Sequence, residues 1–350
     1  MSKRIAVMGC GALGGYAGGY LTRAGHDVTM IDPWADHVQA MREPGLKLEG
    51  LTEPECFTVK ANAILLSELP APGDIQPFDM IIIAVKAYDT TAAAERMKPY
   101  LAPGGFAVSL QNGINENRIA AVLGAENTIG CIASQISLSL PGPGHIQRKI
   151  KLGGKEHTVF RIGEMNGTIT PRVEEAAAML SGIDSTLATD NLMGERWSKL
   201  AANAMRNPVS AATDQGANTN DKDAHMRRIT IGLAAEAVRV ARAEGAKLVK
   251  IMGIDPDLLV AADDGDTAAI DAIEAKFYAD MERRSDSQRP SMAQDISKGR
   301  PTEIDHINGL VVEGGKKHGI ATPMNAGICA IIKSIENGER SPGPDTLRDL

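Results

Sequence analysis

The sequence predicts an α/β protein: an N-terminal doubly wound parallel sheet followed by an all-α C-terminal domain. Three observations predict it. Short, continuous apolar runs alternate with helical patterns through the first half, as expected of strands covered on both faces. A glycine-rich turn, "GCGALG" (Gly9–Gly14), joins the first of these runs to the first helical pattern. From Leu192 onward the strand-like runs give way to Ala-rich, charged, helix-periodic stretches. This shift sets the expected domains at 1–190 and 191–350, and a chain of 350 residues suits two domains.

The elements follow in order. Ile5–Met8 reads as a strand, the glycine turn leads into a helix that stops at Gly25, and Val28–Ile31 is a second strand. "DMIIIAVKAYDT" predicts a central parallel strand closed by Lys86, and "FAVSLQNGIN" another that ends in a Gln-Asn-Gly turn containing Asn112. "NTIGCIASQISLSL" is a further strand candidate. The Gly/Pro turns and Val/Ile pairs of "PGPGHIQRKIKLGGKEHTVFRIGEMNG" predict an antiparallel hairpin that extends the same sheet. "PRVEEAAAMLSG" is a short helix, and the acidic "DPDLLVAADDGDTAAIDAIEAKF" reads as a solvated helix pair.

Composition bounds the function. Hydrophobic residues make up 43% of the chain and aromatics only 3%, so the core must be built mainly from Ala, Val, Ile, Leu and Met. A net charge of −7 with no long Lys/Arg run argues against nucleic acid or an anionic membrane as the main partner. No apolar run reaches the roughly 18–20 residues of a membrane span. The four cysteines show no CxxC spacing and the seven histidines no HxxxH or HxH pair. Free thiols, a cytoplasmic location and no metal site are therefore expected. The helical half could support a homodimer.

The glycine turn carries the first chemistry. Gly9, Gly11 and Gly14 form GxGxxG between a strand and a helix, where the first glycine permits the turn and the second admits a pyrophosphate. The third lets helix and strand approach. Asp32 ends the second strand at the distance of a ribose-binding acid. Its carboxylate would repel a 2′-phosphate, and the Pro33-Trp34 that follows offers no cation. A clash of ~2–3 kcal/mol gives roughly 30- to 150-fold discrimination. NAD(H) is thus expected over NADP(H).

Lys86 and Asn112 lie at strand C-termini, which line the ligand crevice of an open α/β sheet. In "WSKLAANAMRNP", Lys199, Asn203 and Asn207 recur at steps of four and form a thin polar stripe on an otherwise apolar helix. One cation and two amides suit a polar binding surface better than a solvated face. Further on, Ser291 and Asp295 share a helix face, and Glu303 and Asp305 follow Pro301. Thr302 is a possible cap, with Asn308 later on the same helix. Acids in a first turn also favour the helix dipole, so Glu303 and Asp305 have a structural reading too.

Together with "VKAYDT", "QNGIN", "SMAQDI" and "TEIDHINGL", these segments make the chain resemble the ketopantoate reductase family, within the 6-phosphogluconate-dehydrogenase-like group. The resemblance runs through about residue 325. It implies a Rossmann domain, with Lys199 as general acid and Glu303 ordering the site. It implies Asn203, Asn207 and Ser291 on the substrate, and Lys86 and Asn112 beside the nicotinamide and its ribose. The substrate would be a small 2-oxo or 2-hydroxy acid. Family members commonly place a basic residue after the second strand, where this chain has Asp32-Pro33. That departure keeps a second enzyme reading open, an NAD-dependent D-2-hydroxy acid dehydrogenase. A non-catalytic dinucleotide sensor would need the glycine fingerprint alone.

Overall fold

The computed structural model describes residues 3–282, 284, 286 and 289–350. Internal contacts divide the chain into two units, Met1–Leu192 and Met193–Leu350.

The first unit holds twelve strands: β1 (Arg4–Met8), β2 (Asp27–Asp32), β3 (Leu46–Glu49), β4 (Phe57–Val59), β5 (Asn62–Leu65), β6 (Phe78–Ile83), β7 (Leu101–Ser109), β8 (Thr128–Ala133), β9 (Leu138–Gly142), β10 (His145–Arg148), β11 (Phe160–Glu164) and β12 (Thr186–Ala188). Its helices are α1 (Ala12–Arg23), α2 (Ala35–Ala40), α3 (Thr90–Met97), α4 (Glu116–Leu123) and α5 (Pro171–Ser181). The main sheet runs β12-β11-β8-β7-β6-β1-β2-β5. From β5 to β8 every pairing is parallel, and the order is the doubly wound 3-2-1-4-5-6 pattern with its switch point between β1 and β6. The continuous apolar runs follow from burial on both faces. Ile5 and Val7 enter one core cluster while Ala6 and Met8 enter the other, and Met80/Ile82 and Ile81/Ile83 divide the same way.

Two expectations need correction. The run from Thr128 to Leu140 is not one strand, because it breaks after Ala133 and Gln135 adopts a φ of 51°. Its second part, β9, belongs to a separate sheet ordered β4-β3-β10-β9. The antiparallel hairpin expected within 141–167 does not form, since β10 and β11 lie in different sheets; β10 instead pairs antiparallel with β9 and in parallel with β3. The strand that extends the main sheet is β11, antiparallel to β8 rather than to β10.

The small sheet explains the run of glycines in α1. A Cβ at Gly15 would lie 2.6 Å from Ile146 Cδ1 of β10, and one at Gly19 would lie 2.7 Å from Leu48 Cδ1 of β3. At Gly18 it would lie 2.9 Å from Met30 Cε of β2. The helix is thus gripped on one side by the small sheet and on another by the main one.

The second unit contains α6 (Leu192–Thr213), α7 (Ala217–Lys222), α8 (Ala224–Ala243), α9 (Pro256–Asp263), α10 (Thr267–Met281), α11 (Ser291–Ser297), α12 (Ile304–His318) and α13 (Pro323–Glu336). Its core forms around α8, buried from Ile229 through Val238 and contacting α9, α12 and α13. The acidic stretch is a helix pair, α9 and α10. Asp255 and Asp266 cap the two N-termini, and Asp263 and Asp264 pair with Arg239 of α8. Among the described residues, no helix is long and apolar enough to cross a membrane.

Candidate active site

The glycine turn is built as its spacing demands. Gly9 has φ +91°, and a Cβ there would lie 2.8 Å from the Val85 nitrogen. At Gly14 a Cβ would sit 2.0 Å from the Gly9 carbonyl oxygen and 2.8 Å from Ala84 Cβ. Both positions need glycine for the fold itself. Gly11 differs, because a Cβ there meets nothing within 4 Å. Gly11 also occupies the N-cap of α1 with no side-chain cap, so the helix N-terminus opens onto clear space. That is the cradle a pyrophosphate requires, and protein packing does not account for the second glycine. The residues present fit a dinucleotide.

Asp32 lies at the end of β2 and is buried. Its Oδ2 accepts the Cys10 N–H at 2.7 Å and its Oδ1 the Trp34 N–H at 2.9 Å. Each oxygen retains a lone pair with which to accept a ribose hydroxyl. The carboxylate therefore caps the turn that follows and braces the glycine loop, while leaving room to bind a ribose. Burial pushes the Cys10 thiol up, with the Asp32 charge adding to it, so the cysteine in the loop remains a protonated, inert thiol.

Lys86 does not close its strand. β6 ends at Ile83, and Lys86 stands half-buried in the loop three residues on, just before a turn at Ala87–Asp89. Asn112 is likewise half-buried beyond the end of β7, and its carbonyl accepts the Asn115 side-chain N–H at 2.7 Å. Gln111, marked in the sequence only as part of the Gln-Asn-Gly turn, braces the two loops. Its Nε2 donates to the Val85 carbonyl at 2.8 Å and to the Thr90 hydroxyl at 2.9 Å. The loops after β1, β6 and β7 thus converge at the C-terminal edge of the sheet.

In the second unit α6 carries the polar stripe. Lys199 and Asn203 are half-buried and Asn207 is buried, while Leu200, Ala201, Ala204 and Met205 turn into the core. Pro208 sits inside this helix and supplies no N–H to the Ala204 carbonyl four residues earlier. Asn308 of α12 replaces it, donating its Nδ2 to Ala204 O at 3.1 Å and to Asn325 Oδ1 at 2.9 Å. Asn325 in turn donates to Glu236 Oε2 at 2.7 Å. This buried chain ties α6, α12, α13 and α8 together beneath the stripe.

Glu303 is buried immediately before α12, and the Thr302 hydroxyl accepts the Ile304 N–H at 3.2 Å as a cap. Asp305 is exposed and ion-paired with Lys333 at 2.6 Å, which gives it a surface role. Ser291 opens α11, half-buried, with Asp295 buried one turn later. The sequence marked Asn308 only by its place on the helix and Gln111 only as part of a turn motif. Each is a polar residue whose purpose is set by a backbone group distant in sequence. Among the described residues, no cluster of His, Cys, Asp and Glu could hold a metal ion.

The doubly wound domain with this turn is built as a dinucleotide-binding domain, and the matches that follow make the chain an NAD(P)-dependent oxidoreductase acting on the CH–OH group of its donor. A profile of ketopantoate reductase PanE/ApbA matches residues 5–166, and one of the C-terminal part of the same protein matches residues 191–336. The chain belongs to the ketopantoate reductase PanE/ApbA family. It is 29% identical over 337 residues to the 2-dehydropantoate 2-reductase of Pyrococcus abyssi (strain GE5 / Orsay), covering 95% of this chain and 98% of that one. The crystal structure of a PanE/ApbA family ketopantoate reductase from Ralstonia eutropha JMP134 has a TM-score of 0.77 at 29% identity, covering 96% and 99% of the two chains. The ternary structure of D-mandelate dehydrogenase with NADH and anilino(oxo)acetate shares the fold, with a TM-score of 0.77 at 24% identity and coverage of 96% and 98%.

Proposed function

We propose that this chain interconverts a small 2-oxo acid and its 2-hydroxy acid, using NAD(H) in preference to NADP(H). The observation that carries the reading is the half-buried Lys199 aligned with Asn203 and Asn207 along one face of α6, in a chain of a reductase family. Bound nicotinamide supplies or receives the hydride. Gly9, Gly11 and Gly14 shape the loop for the pyrophosphate, Asp32 takes the ribose hydroxyls, and Lys86 and Asn112 flank the nicotinamide end.

Reduction places negative charge on the carbonyl oxygen. The Lys199 ammonium stabilises that charge and gives its proton to the oxygen, and in the oxidation direction the neutral amine takes the proton back. Asn203 and Asn207 hold substrate, since an amide donates to a carboxylate and accepts from a hydroxyl. Ser291 adds a hydroxyl contact, and Glu303 orders the site.

Ketopantoate is the first substrate to test, given the relatives. Asp32 also favours a second reading, oxidation of a D-2-hydroxy acid with NAD. The D-mandelate dehydrogenase that shares this fold was solved with NADH.

The test is steady-state oxidation of NADH and of NADPH against ketopantoate and a panel of aliphatic and aromatic 2-oxo acids. The expected result is a preference for NADH of at least roughly 30-fold in kcat/KM. Equal or faster use of NADPH rejects the cofactor assignment. Because Asp32 also braces the glycine loop, Asp32→Asn is the appropriate variant; it keeps one oxygen acceptor while removing the charge. It should raise kcat/KM for NADPH. Turnover of another oxo acid with silence on ketopantoate selects the second reading.

A further inference from the structure

We propose that His37 is a positioning residue for the dinucleotide: it holds the Cys10–Gly11 peptide of the glycine loop in the orientation that receives the pyrophosphate. The inference rests on the nucleotide-binding reading of that loop.

His37 lies in α2 with no solvent exposure, yet its ring makes two hydrogen bonds to backbone groups far apart in the chain. The Gly144 N–H, in the turn between β9 and β10, donates to His37 Nδ1 at 2.8 Å. His37 Nε2 lies 2.8 Å from the carbonyl oxygen of Cys10. The first bond fixes the tautomer. A ring nitrogen that accepts from an amide carries no proton, so the neutral imidazole bears its hydrogen on Nε2 and donates it to Cys10. Trp34 stacks on the ring, with centroids 5.4 Å apart and planes inclined by 18°, and closes off the position. The Gly144 turn is itself anchored, since its carbonyl accepts the Lys47 N–H at 2.8 Å.

The acceptor is the important end. The Cys10 carbonyl and the Gly11 N–H belong to one planar trans peptide, so they point in opposite directions. Holding the carbonyl against His37 directs the Gly11 N–H away from it. Gly11 is the glycine whose missing Cβ leaves open space at the α1 N-terminus. The other side of the loop is fixed by the Cys10 N–H bond to Asp32. Asp32 and His37 thus clamp Cys10 at both its polar atoms, and the amide that follows is preset for an anion. Nothing in the glycine fingerprint announces this residue, which works through the peptide it holds and touches neither substrate nor cofactor.

Two variants separate the hydrogen bond from the ring. In His37→Asn the shorter side chain can still accept from Gly144 but cannot reach Cys10. In His37→Gln the longer amide reaches Cys10 as a donor. The measurement is calorimetric affinity for ADP-ribose and for adenosine, with thermal unfolding of each variant alongside. The expected result is that His37→Asn loses about tenfold in affinity for ADP-ribose. Adenosine binding should be unchanged, and His37→Gln should recover to within about threefold of the original protein. The KM for NADH should rise with the dissociation constant while that for the oxo acid does not.

Unchanged ADP-ribose affinity in His37→Asn overturns the assignment. So does an equal loss on adenosine, or a His37→Gln as weak as His37→Asn, because either would mean that the ring acts only by packing. An unsubstituted protein that binds ADP-ribose no better than adenosine overturns the nucleotide reading of the loop, and this assignment with it.

Discussion

Asn308 offers a prediction whose size follows from the hydrogen bonds it makes. Its Nδ2 serves two buried acceptors, Ala204 O and Asn325 Oδ1, while among the described residues its own Oδ1 has no partner. Asn308→Ala strands both acceptors, at about 1–3 kcal/mol each, and relieves one unsatisfied oxygen of similar cost. The net destabilisation expected is about 2 kcal/mol. The Ala204 carbonyl is short of a donor only because residue 208 is proline. Pro208→Ala restores a backbone N–H at the right helical spacing, so Asn308→Ala should cost about 1 kcal/mol less in that background. The assay is urea unfolding of the four proteins of the cycle, followed by the fluorescence of buried Trp197 with Trp34 replaced by phenylalanine. If Asn308→Ala costs the same in both backgrounds to within about 0.3 kcal/mol, Asn308 does not substitute for the missing proline N–H.

Three further outcomes are expected. Lys199→Ala should lower turnover of the oxo acid by about 10²- to 10⁴-fold at saturating cofactor, and a loss below about tenfold argues against direct proton donation. Gly11→Ala should unfold at the original temperature but bind NADH at least about tenfold more weakly, whereas Gly14→Ala, whose Cβ overlaps a backbone oxygen, should also lose thermal stability. A Gly11→Ala protein with undiminished NADH affinity would remove the cradle from the argument. Finally, burial pushes the Glu164 carboxyl up, but hydrogen bonds from Arg172 and Thr170 and the Arg172 charge outweigh it and hold the group below the usual carboxylate range. Its stabilising contribution is complete above the ordinary glutamate value of about 4.3 and fades as pH falls through the lower folded value. The stability gap between the original protein and Glu164→Gln should therefore narrow between about pH 5 and pH 3, and a constant gap contradicts this.

The parts legible in the sequence were those whose cause is local. Ile5–Met8 and Val28–Ile31 stand out because a strand buried on both faces must be apolar at every position, and the structure extends them only to Arg4–Met8 and Asp27–Asp32. The glycine turn is legible because Gly9 and Gly14 answer to contacts within one strand–turn–helix unit and the strand beside it. Lys199, Asn203 and Asn207 show up through helical spacing alone. What escaped depends on distant partners. β3, β4 and β5 are only three or four residues long, so even the alternation of Leu46-Lys47-Leu48-Glu49 is too short to mark a strand. The Gly/Pro turn between β9 and β10 is visible in the sequence, but β9 is not separated there from β8, and the pairing of β10 with β3 is set by contacts almost a hundred residues away. Asn308 and His37 look like ordinary polar helix residues until the carbonyls they serve, 104 and 27 residues distant, are in view.

The glycines of α1 bear on the order in which the molecule is assembled. Four of the twelve residues of this helix are glycine, each less favourable than alanine by about 1 kcal/mol in a helix interior, so the segment has little intrinsic tendency to coil. It must borrow its rigidity from β3 and β10, the second of which lies more than a hundred residues downstream. On the ribosome, the fingerprint is made well before the surface that stiffens it, which arrives only after Arg148 has left the exit tunnel. Until then a nascent chain carries the complete motif without a firm helix behind it. A fragment ending at residue 133 should show rapid amide exchange through α1, and slow exchange there would mean that the main sheet alone suffices.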